Sequence, residues 1–420
     1  GMMAKLQQQS GQSEAALANY KAALEIDRKF GYKDGLLTNL LNLGSFYHDI
    51  GNYTEALKND NEGLQLARDL GDEVNQAVSL NAIGSVYNNT GDYQAALTYF
   101  QQAYEIRDRL KLPEATESLR NWAEMNFKLG QYDTAQSLFL KALNASRSAG
   151  DKEDVALASS TMGVLFAAQG KYDAALSSLQ DAVNIFQQLN DQTWYSAETL
   201  SRYGDVLSVV GRGEEGQKYI DDALKRAIEL KDDSMKAEVL NCLGDSYLNR
   251  GDYSSARQQY QQSLKIMGKS PLTDRVLRAQ LGLARVDVEQ GHAQTAAPVL
   301  KKIMQDANSM GLKAISIQAS IYYSAALLAT NHADAARAEL DTALTQADKL
   351  NLLLERARAE YLTGKALSAT GKPKDAQFHY QEAARLLKGF SEQAGAGHIL
   401  ERPDLKAIYS DAVSQSAGAG

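Results

Sequence analysis

Apolar and polar positions follow a helical rhythm along this chain. In the segment Leu80–Leu110 (LNAIGSVYNNTGDYQAALTYFQQAYEIRDRL), apolar residues recur at spacings of three and four on both sides of Gly91. That spacing predicts two amphipathic helices. Gly91-Asp92-Tyr93 reads as the tight turn between them: the glycine leaves the first helix with positive φ, and Asp92 is placed to cap the second. The unit returns at Gly11, Gly51, Gly91, Gly130, Gly170, Gly211, Gly251, Gly291, Asn331 and Gly371, with gaps of 39 to 41 residues. A period of that size predicts helix pairs stacked in chain order, each burying its apolar stripe against its neighbours.

The positions within the unit have separate tasks. Seven residues before each turn stands a small side chain (Gly44, Gly84, Ala123, Gly163, Gly204, Gly244, Ala284, Ser324, Gly364). Five residues after it stands another (Ala56, Ala96, Ala135, Ala175, Gly216, Ala256, Ala296, Ala336, Ala376). Small residues there let paired helices approach closely. A glycine inside a helix costs about 1 kcal/mol against alanine, so its recurrence implies a contact with no space for a methyl. Rings fill the holes around them: Tyr47, Tyr87, Phe166 and Tyr247 in first helices, Tyr53, Tyr93, Tyr132, Tyr172 and Tyr253 after the turn, then Phe100, Phe139, Tyr260 and Tyr380. These rings are expected in the core rather than on a ligand.

Small residue, aromatic, Gly-x-Tyr turn, alanine, aromatic: this pattern resembles the tetratricopeptide repeat. The family period is usually about 34; the longer unit here, with inter-repeat signatures such as Leu70-Gly71-Asp72 and Ala149-Gly150-Asp151, is similar to the long variant of kinesin light chains, Gα-binding adaptors and bacterial peptide-sensing regulators. The resemblance covers residues 2 to 388 and implies an all-α fold, a right-handed α-α superhelical solenoid of nine to ten helix pairs. It divides the chain into a truncated first repeat (1–30), nine repeats in one continuous solenoid (31–388), and a C-terminal capping helix with a disordered tail (389–420, with 414–420 disordered). Pro403 is placed to start that helix, Pro373 sits in a turn, and Pro298 is expected to kink its helix or mark its first turn. The turn at 211 reads Gly-Arg-Gly-Glu-Glu-Gly and lacks both its tyrosine and its alanine, so a hinge or a change of curvature is expected near 211–220. Gly1 ahead of Met2 and Met3, with a start in mid-repeat, is expected of a fragment of a longer protein.

In the family the first helix of each pair lines a concave groove. Carrying that register over residue by residue places Asn42, Asn81, Asn88, Asn121, Asn241 and Asn249 on the groove wall. Each amide donates and accepts at once and is suited to the backbone of an extended peptide. Arg120, Arg202, Arg278 and Arg285 are placed to hold carboxylates in two-pronged contacts; the competing reading is a solvated face with local ion pairs, as Glu117, Arg120 and Glu124 are spaced to form. Around Ile321, Tyr322, Ala325, Leu328 and Ala329 the groove turns apolar. Two readings stay open there: an anchor pocket for a partner, or a surface covered by the C-terminal helix or by self-association with a second copy. Thr38, Leu41 and Val78 stand where the carboxylate clamp of chaperone-binding relatives needs basic groups, so a chaperone tail is not the expected ligand.

Composition narrows the function classes. Net charge is -8, against the basic stripe that nucleic acid requires. There is no apolar run long enough to span a membrane and no secretory signal pattern, so a cytoplasmic protein is expected. The single cysteine, Cys242, excludes an internal disulfide. The five histidines form no close ligand pair, no phosphate-binding loop occurs, and no carboxylate pair stands out as acid and base. The expectation is therefore a scaffold, not an enzyme, without metal or cofactor, that binds a protein or peptide in its groove; the alternative is the sensor region of a larger bacterial kinase, cyclase or transcription regulator.

Overall fold

A computed structural model describes residues 2–9, 12–268, 271 and 273–417. The turn expected at Gly11 and the last three residues of the expected tail lie outside them. The described residues form helices and no strand. A lone pair opens the chain, α1 (Met2–Gln9) and α2 (Ser13–Phe30). Nine full pairs follow. They are α3 (Lys33–Asp49) with α4 (Tyr53–Leu70), α5 (Glu73–Thr90) with α6 (Tyr93–Arg109), and α7 (Ala115–Lys128) with α8 (Tyr132–Ala149). Next come α9 (Lys152–Ala168) with α10 (Tyr172–Gln188), α11 (Trp194–Val209) with α12 (Gly213–Glu229), and α13 (Asp233–Asn249) with α14 (Tyr253–Met267). The last three are α15 (Asp274–Glu289) with α16 (Ala293–Ser309), α17 (Lys313–Ala329) with α18 (Ala333–Lys349), and α19 (Leu353–Ala369) with α20 (Pro373–Ser391). A short 3-10 turn, Ile399–Glu401, leads into α21 (Pro403–Ala417).

The turn chemistry is the one the pattern predicts. The turn glycines carry positive φ, 72° at Gly51 and 71° at Gly170, and Asn331 takes the same conformation at 62°. Asn52, Asp72, Asp92, Asp151, Asp232 and Asp252 each accept the backbone N–H three residues on, capping the helix that follows. The small positions are contacts without slack. A methyl on Gly163 would lie 2.6 Å from Leu179 Cγ, and one on Gly244 2.6 Å from a Tyr260 ring carbon. Tyr93, Tyr132, Tyr172, Phe100, Phe139, Tyr260 and Tyr380 are buried, as expected of core rings.

The chain gathers into two compact units, 1–126 and 127–420, whose division falls within α7. It does not fall at the weakened turn near 211. There, the missing side chains bring backbones together: a methyl on Gly204 would sit 2.5 Å from the carbonyl oxygen of Gly216. The expected hinge is thus a close helix crossing, with Ile220 fully buried beneath it.

Within residues 127–420 the stack closes on itself. A methyl on Gly130 would lie 3.0 Å from Lys313 Cβ, and one on Gly170 3.2 Å from Leu353 Cβ and 2.8 Å from the Phe390 ring. Lys128 pairs with Asp274 at 3.0 Å. Leu354, Leu386, Leu387, Phe390, Ala396, Ile399 and Leu405 join Tyr172, Leu176, Val206 and Leu207 in one core cluster. The C-terminal segment therefore does more than cap the last pair. Residues 414–417, expected in the disordered tail, are the last turn of α21. Pro373 opens α20 rather than lying in a turn, and α16 runs unbroken through Pro298, beyond its first turn.

Candidate partner-binding faces

In residues 1–126 the first helices α3, α5 and α7 present the expected amides. Asn42, Asn81, Asn88 and Asn121 are half-buried and Arg120 is buried. Asn81 sits at the centre of a polar cluster: its Nδ2 donates to Glu117 Oε1 at 3.4 Å, and its Oδ1 accepts from Ser118 Oγ at 3.2 Å and Asn121 Nδ2 at 3.5 Å. Arg107, buried on α6, fixes this cluster from behind by donating to Ser118 Oγ at 2.7 Å and Glu117 Oε2 at 3.2 Å. About two turns further along α5, His48 Nε2 and Asn89 Nδ2 lie 2.8 Å apart. Val74 and Val78 on α5 remain 47% and 36% exposed, and Val78 lies three residues, hence one turn, from Asn81. Two exposed valines thus precede the amides along α5.

In residues 127–420 the same register is committed to internal contacts. Arg202 pairs with Glu198 at 2.8 Å. Asn249, buried, donates to Ser208 Oγ at 3.1 Å. Asn241 is fully buried and donates to the Arg275 carbonyl at 3.0 Å, while its Oδ1 has no partner among the described residues. Arg278 gathers three carboxylates, Asp245 at 2.8 Å, Glu238 at 2.9 Å and Asp205 at 3.0 Å. Burial alone would raise the Asp245 carboxyl, but Arg278 and Arg285 outweigh it and hold it below the usual range; Asp205 is raised, chiefly by burial. Tyr260 donates to Asp245 at 2.6 Å and joins the cluster to the core.

Next along the wall, Arg285 lies over the Tyr322 ring at 4.9 Å and Arg358 lies 6.0 Å from it. Tyr322 and Ile321 are buried, Ala325 and Leu328 half-buried, and only Ala329 is exposed. The apolar stretch is thus largely covered, and the arginines beside Tyr322 lead to the C-terminal helix: Arg358 pairs with Asp404 at 2.9 Å.

No group of three or more His, Cys, Asp or Glu side chains is arranged to hold a metal among the described residues. Cys242 is buried, and burial pushes its thiol well up, which disfavours the reactive thiolate. Among the described residues no helix is long and apolar enough to cross a membrane.

Family models described as tetratricopeptide repeat match residues 1–30, 35–109, 114–188, 195–269 and 236–309. The chain belongs to the tetratricopeptide-repeat family. Among curated proteins this repeat chain is similar to Protein KINESIN LIGHT CHAIN-RELATED 2 of Arabidopsis thaliana, 22% identical over 191 residues, which are 44% of this chain and 28% of that protein. The match thus spans little more than a quarter of that relative. Among solved structures it is similar to a Rap protein complexed with Competence and Sporulation Factor, with a TM-score of 0.55, 13% identity, and coverage of 90% of this chain and 99% of that one. It is also similar to BtubC (BKLC) from P. vanneervenii, with a TM-score of 0.44, 19% identity, and coverage of 52% and 92%.

Two features of the repeat protein escaped the sequence reading. One is Asp60, only 1% exposed on α4, nine residues after Gly51. That slot holds Tyr20, Phe100, Phe139, Leu179, Ile220, Tyr260, Leu300, Leu340 and Tyr380 in other units, all buried, so the exception was visible in the alignment of units. The other is the set Gln393, Arg402 and Asp404, for which the broken period after 388 carried no signal.

Proposed function

We propose that the face formed by α3, α5 and α7 binds an extended segment of another protein, and that the chain works as an interaction scaffold without catalysis of its own. The observation that carries this reading is the row of half-exposed amides, Asn42, Asn81, Asn88 and Asn121, beside the exposed Val74 and Val78. Amides match the donors and acceptors of a peptide backbone whatever its sequence, and the valines supply apolar anchors for alternate side chains. The Rap protein of similar fold, solved with a bound factor, supports a partner-holding role for such a stack. The amides and arginines of residues 127–420 act instead as internal ties, since Arg202, Asn241, Asn249 and Arg278 are engaged within the chain.

The test compares the full-length protein with Asn42→Ala/Asn81→Ala/Asn121→Ala as bait in native lysate, with recovered proteins identified by mass spectrometry. A partner retained by the wild type and lost by a variant of unchanged helical content supports the reading. Equal recovery of every protein by both baits refutes it.

A further inference from the structure

Among the loops that join one helix pair to the next, two kinds recur. In loops 70–73, 149–152 and 230–233 an aspartate, Asp72, Asp151 or Asp232, caps the helix that follows. Such a loop is complete by itself, and a methyl on Gly71 or Gly150 would meet nothing within 4 Å among the described residues. In loops 310–313 and 350–353 a leucine takes the aspartate's place, Leu312 or Leu352, with a side chain that cannot cap. Both leucines are buried, and an earlier turn lies against each loop. A methyl on Gly311 would lie 2.8 Å from Leu129 Cδ2, one on Gly130 3.0 Å from Lys313 Cβ, and one on Gly170 3.2 Å from Leu353 Cβ. The capped kind suits water; the apolar kind suits a cover.

Residues 30–33 have the sequence of a covered loop. Phe30-Gly31-Tyr32-Lys33 repeats the order of Met310-Gly311-Leu312-Lys313 (apolar, glycine, apolar, lysine). The two glycines share a backbone conformation, with φ of 69° and 75°. Tyr32 stands where Leu312 does, just ahead of the next helix. Yet Phe30 is 59% and Tyr32 60% exposed, their rings stacked with centres 5.9 Å apart. A methyl on Gly31 would meet nothing within 4 Å among the described residues. The other half of the internal contact also stands open. Ile50-Gly51-Asn52-Tyr53 repeats Leu129-Gly130-Gln131-Tyr132 (apolar, glycine, amide, tyrosine), with φ of 72° and 73° at the glycines. Leu129 is buried against Gly311, whereas Ile50 is 50% exposed and a methyl on Gly51 would meet none of the described residues within 4 Å. The open turn at Gly291 carries a polar residue, Gln290, at that place.

We propose that the Phe30–Tyr32 loop of one chain docks on the Ile50–Gly51 turn of a second copy, as loop 310–313 docks on turn 129–132 within the chain. A second copy fits because the chain exposes both halves of a contact that it already makes elsewhere, each half keeping its apolar side chain. A turn glycine without a side chain lets the loop come close to the backbone, and burial of the two rings and Ile50 drives the association. The direction follows from α3. Loop 30–33 lies at its start and turn 50–53 at its end; the helix has 17 residues and is about 25 Å long. An end-to-end contact between these surfaces leaves a free turn on one copy and a free loop on the other, so a third copy adds to the row. No residue is shared with the amides Asn42, Asn81, Asn88 and Asn121, and the failure of one proposal leaves the other standing.

The experiment follows the mass of the full-length chain by sedimentation as it is concentrated to about 0.3 mM, since one loop on one turn is a small contact and a weak one. The average mass is expected to rise and to pass that of two chains. Two substitutions copy what open surfaces of this chain already carry: Tyr32→Asp gives the loop a cap like Asp72, and Ile50→Gln gives the turn a residue like Gln290. Unchanged helical content verifies that both variants fold. Each variant alone should associate about tenfold more weakly than wild type, or less still. An equal mixture of the two should recover association, because one keeps the turn and the other keeps the loop, and should stop at pairs. A mass that does not change with concentration overturns the proposal, as does association left intact in Tyr32→Asp/Ile50→Gln. A wild type that stops at pairs overturns the end-to-end row. If amides 30–33 and 50–53 exchange slowly at a dilution where chains are single, the cover lies within one chain and a second copy is excluded.

Discussion

Asp60 offers a quantitative check on how this stack tolerates a charge in its core. It occupies a slot filled elsewhere by rings or aliphatic chains, packed against Gly44, and its Oδ1 has no partner among the described residues. Burial raises its carboxyl to about 7 from a usual value of 3.8, against a small opposing effect of His48. The sign follows from linkage. A folded-state value above the unfolded one means the native state binds the proton more tightly, so this stabilisation is complete below the unfolded value and is lost as pH rises through 7. A shift of about 3 units corresponds to roughly 4 kcal/mol in total, of which about 3 kcal/mol falls between pH 5 and pH 8. Asp60→Asn keeps the shape and removes the titration. Its stability relative to wild type should therefore rise by about 3 kcal/mol over that interval, and other carboxylates cancel in the difference. Native-state hydrogen exchange of α3 and α4 in both full-length proteins measures this, because it reads local opening where a chain of two compact units need not unfold in one step. A difference that stays constant within about 0.5 kcal/mol from pH 5 to pH 8 would refute the reasoning. Asp60→Leu should go further and stabilise α3 and α4 at pH 8, since it restores the apolar slot.

Three more outcomes follow. Gly204→Ala should cost on the order of 2 kcal/mol or more in denaturant unfolding, because its methyl meets the Gly216 carbonyl; Gly389→Ala, inside α20 and with nothing within 4 Å of its methyl, is the contrasting control and should gain up to about 1 kcal/mol. Arg278→Met should destabilise residues 127–420 by roughly 3–5 kcal/mol, since Asp205, Glu238 and Asp245 lose their shared cation; the loss should be larger at pH 8 than at pH 5, as measured by urea melts. Lys231→Gly should raise stability by up to about 1 kcal/mol in the same melts, because Lys231 holds φ of 56° in a turn where glycine carries no side-chain strain.

Much of the fold was legible because one physical demand recurs in every unit. Each turn needs a left-handed residue and each crossing a small one, so Gly91, Gly163 and Ala256 announce their places by spacing alone. Loss of side chains at 211–216 predicts a hinge or a change of curvature, whereas Gly204 and Gly216 turn it into closer contact; spacing reveals that bulk is missing but not whether backbones move in to replace it. The groove register placed Asn81 and Asn121 on the same wall, and the structure brings them together. It could not show that Asn249, Arg202 and Arg278 would be engaged from inside, because those partners come from neighbouring units or the same helix face, where many acids and hydroxyls compete. Asp404 was further out of reach, since its partner Arg358 lies 46 residues away and no period links the two.

The reach of the C-terminal segment also bears on how the protein is made. A stack of repeats is ordinarily completed unit by unit, each new pair needing only the one before it. Here the contacts of Gln393 with Gly170 and of Arg402 with Val209 join residues 223 and 193 positions apart. On the ribosome, α9 to α13 emerge long before the residues that seal their turns. Until residues 390–404 have emerged, that rim stays uncovered and the arginine at 358 lacks its counter-ion, so a nascent chain, or one clipped before them, presents to chaperones and proteases a surface that these residues conceal.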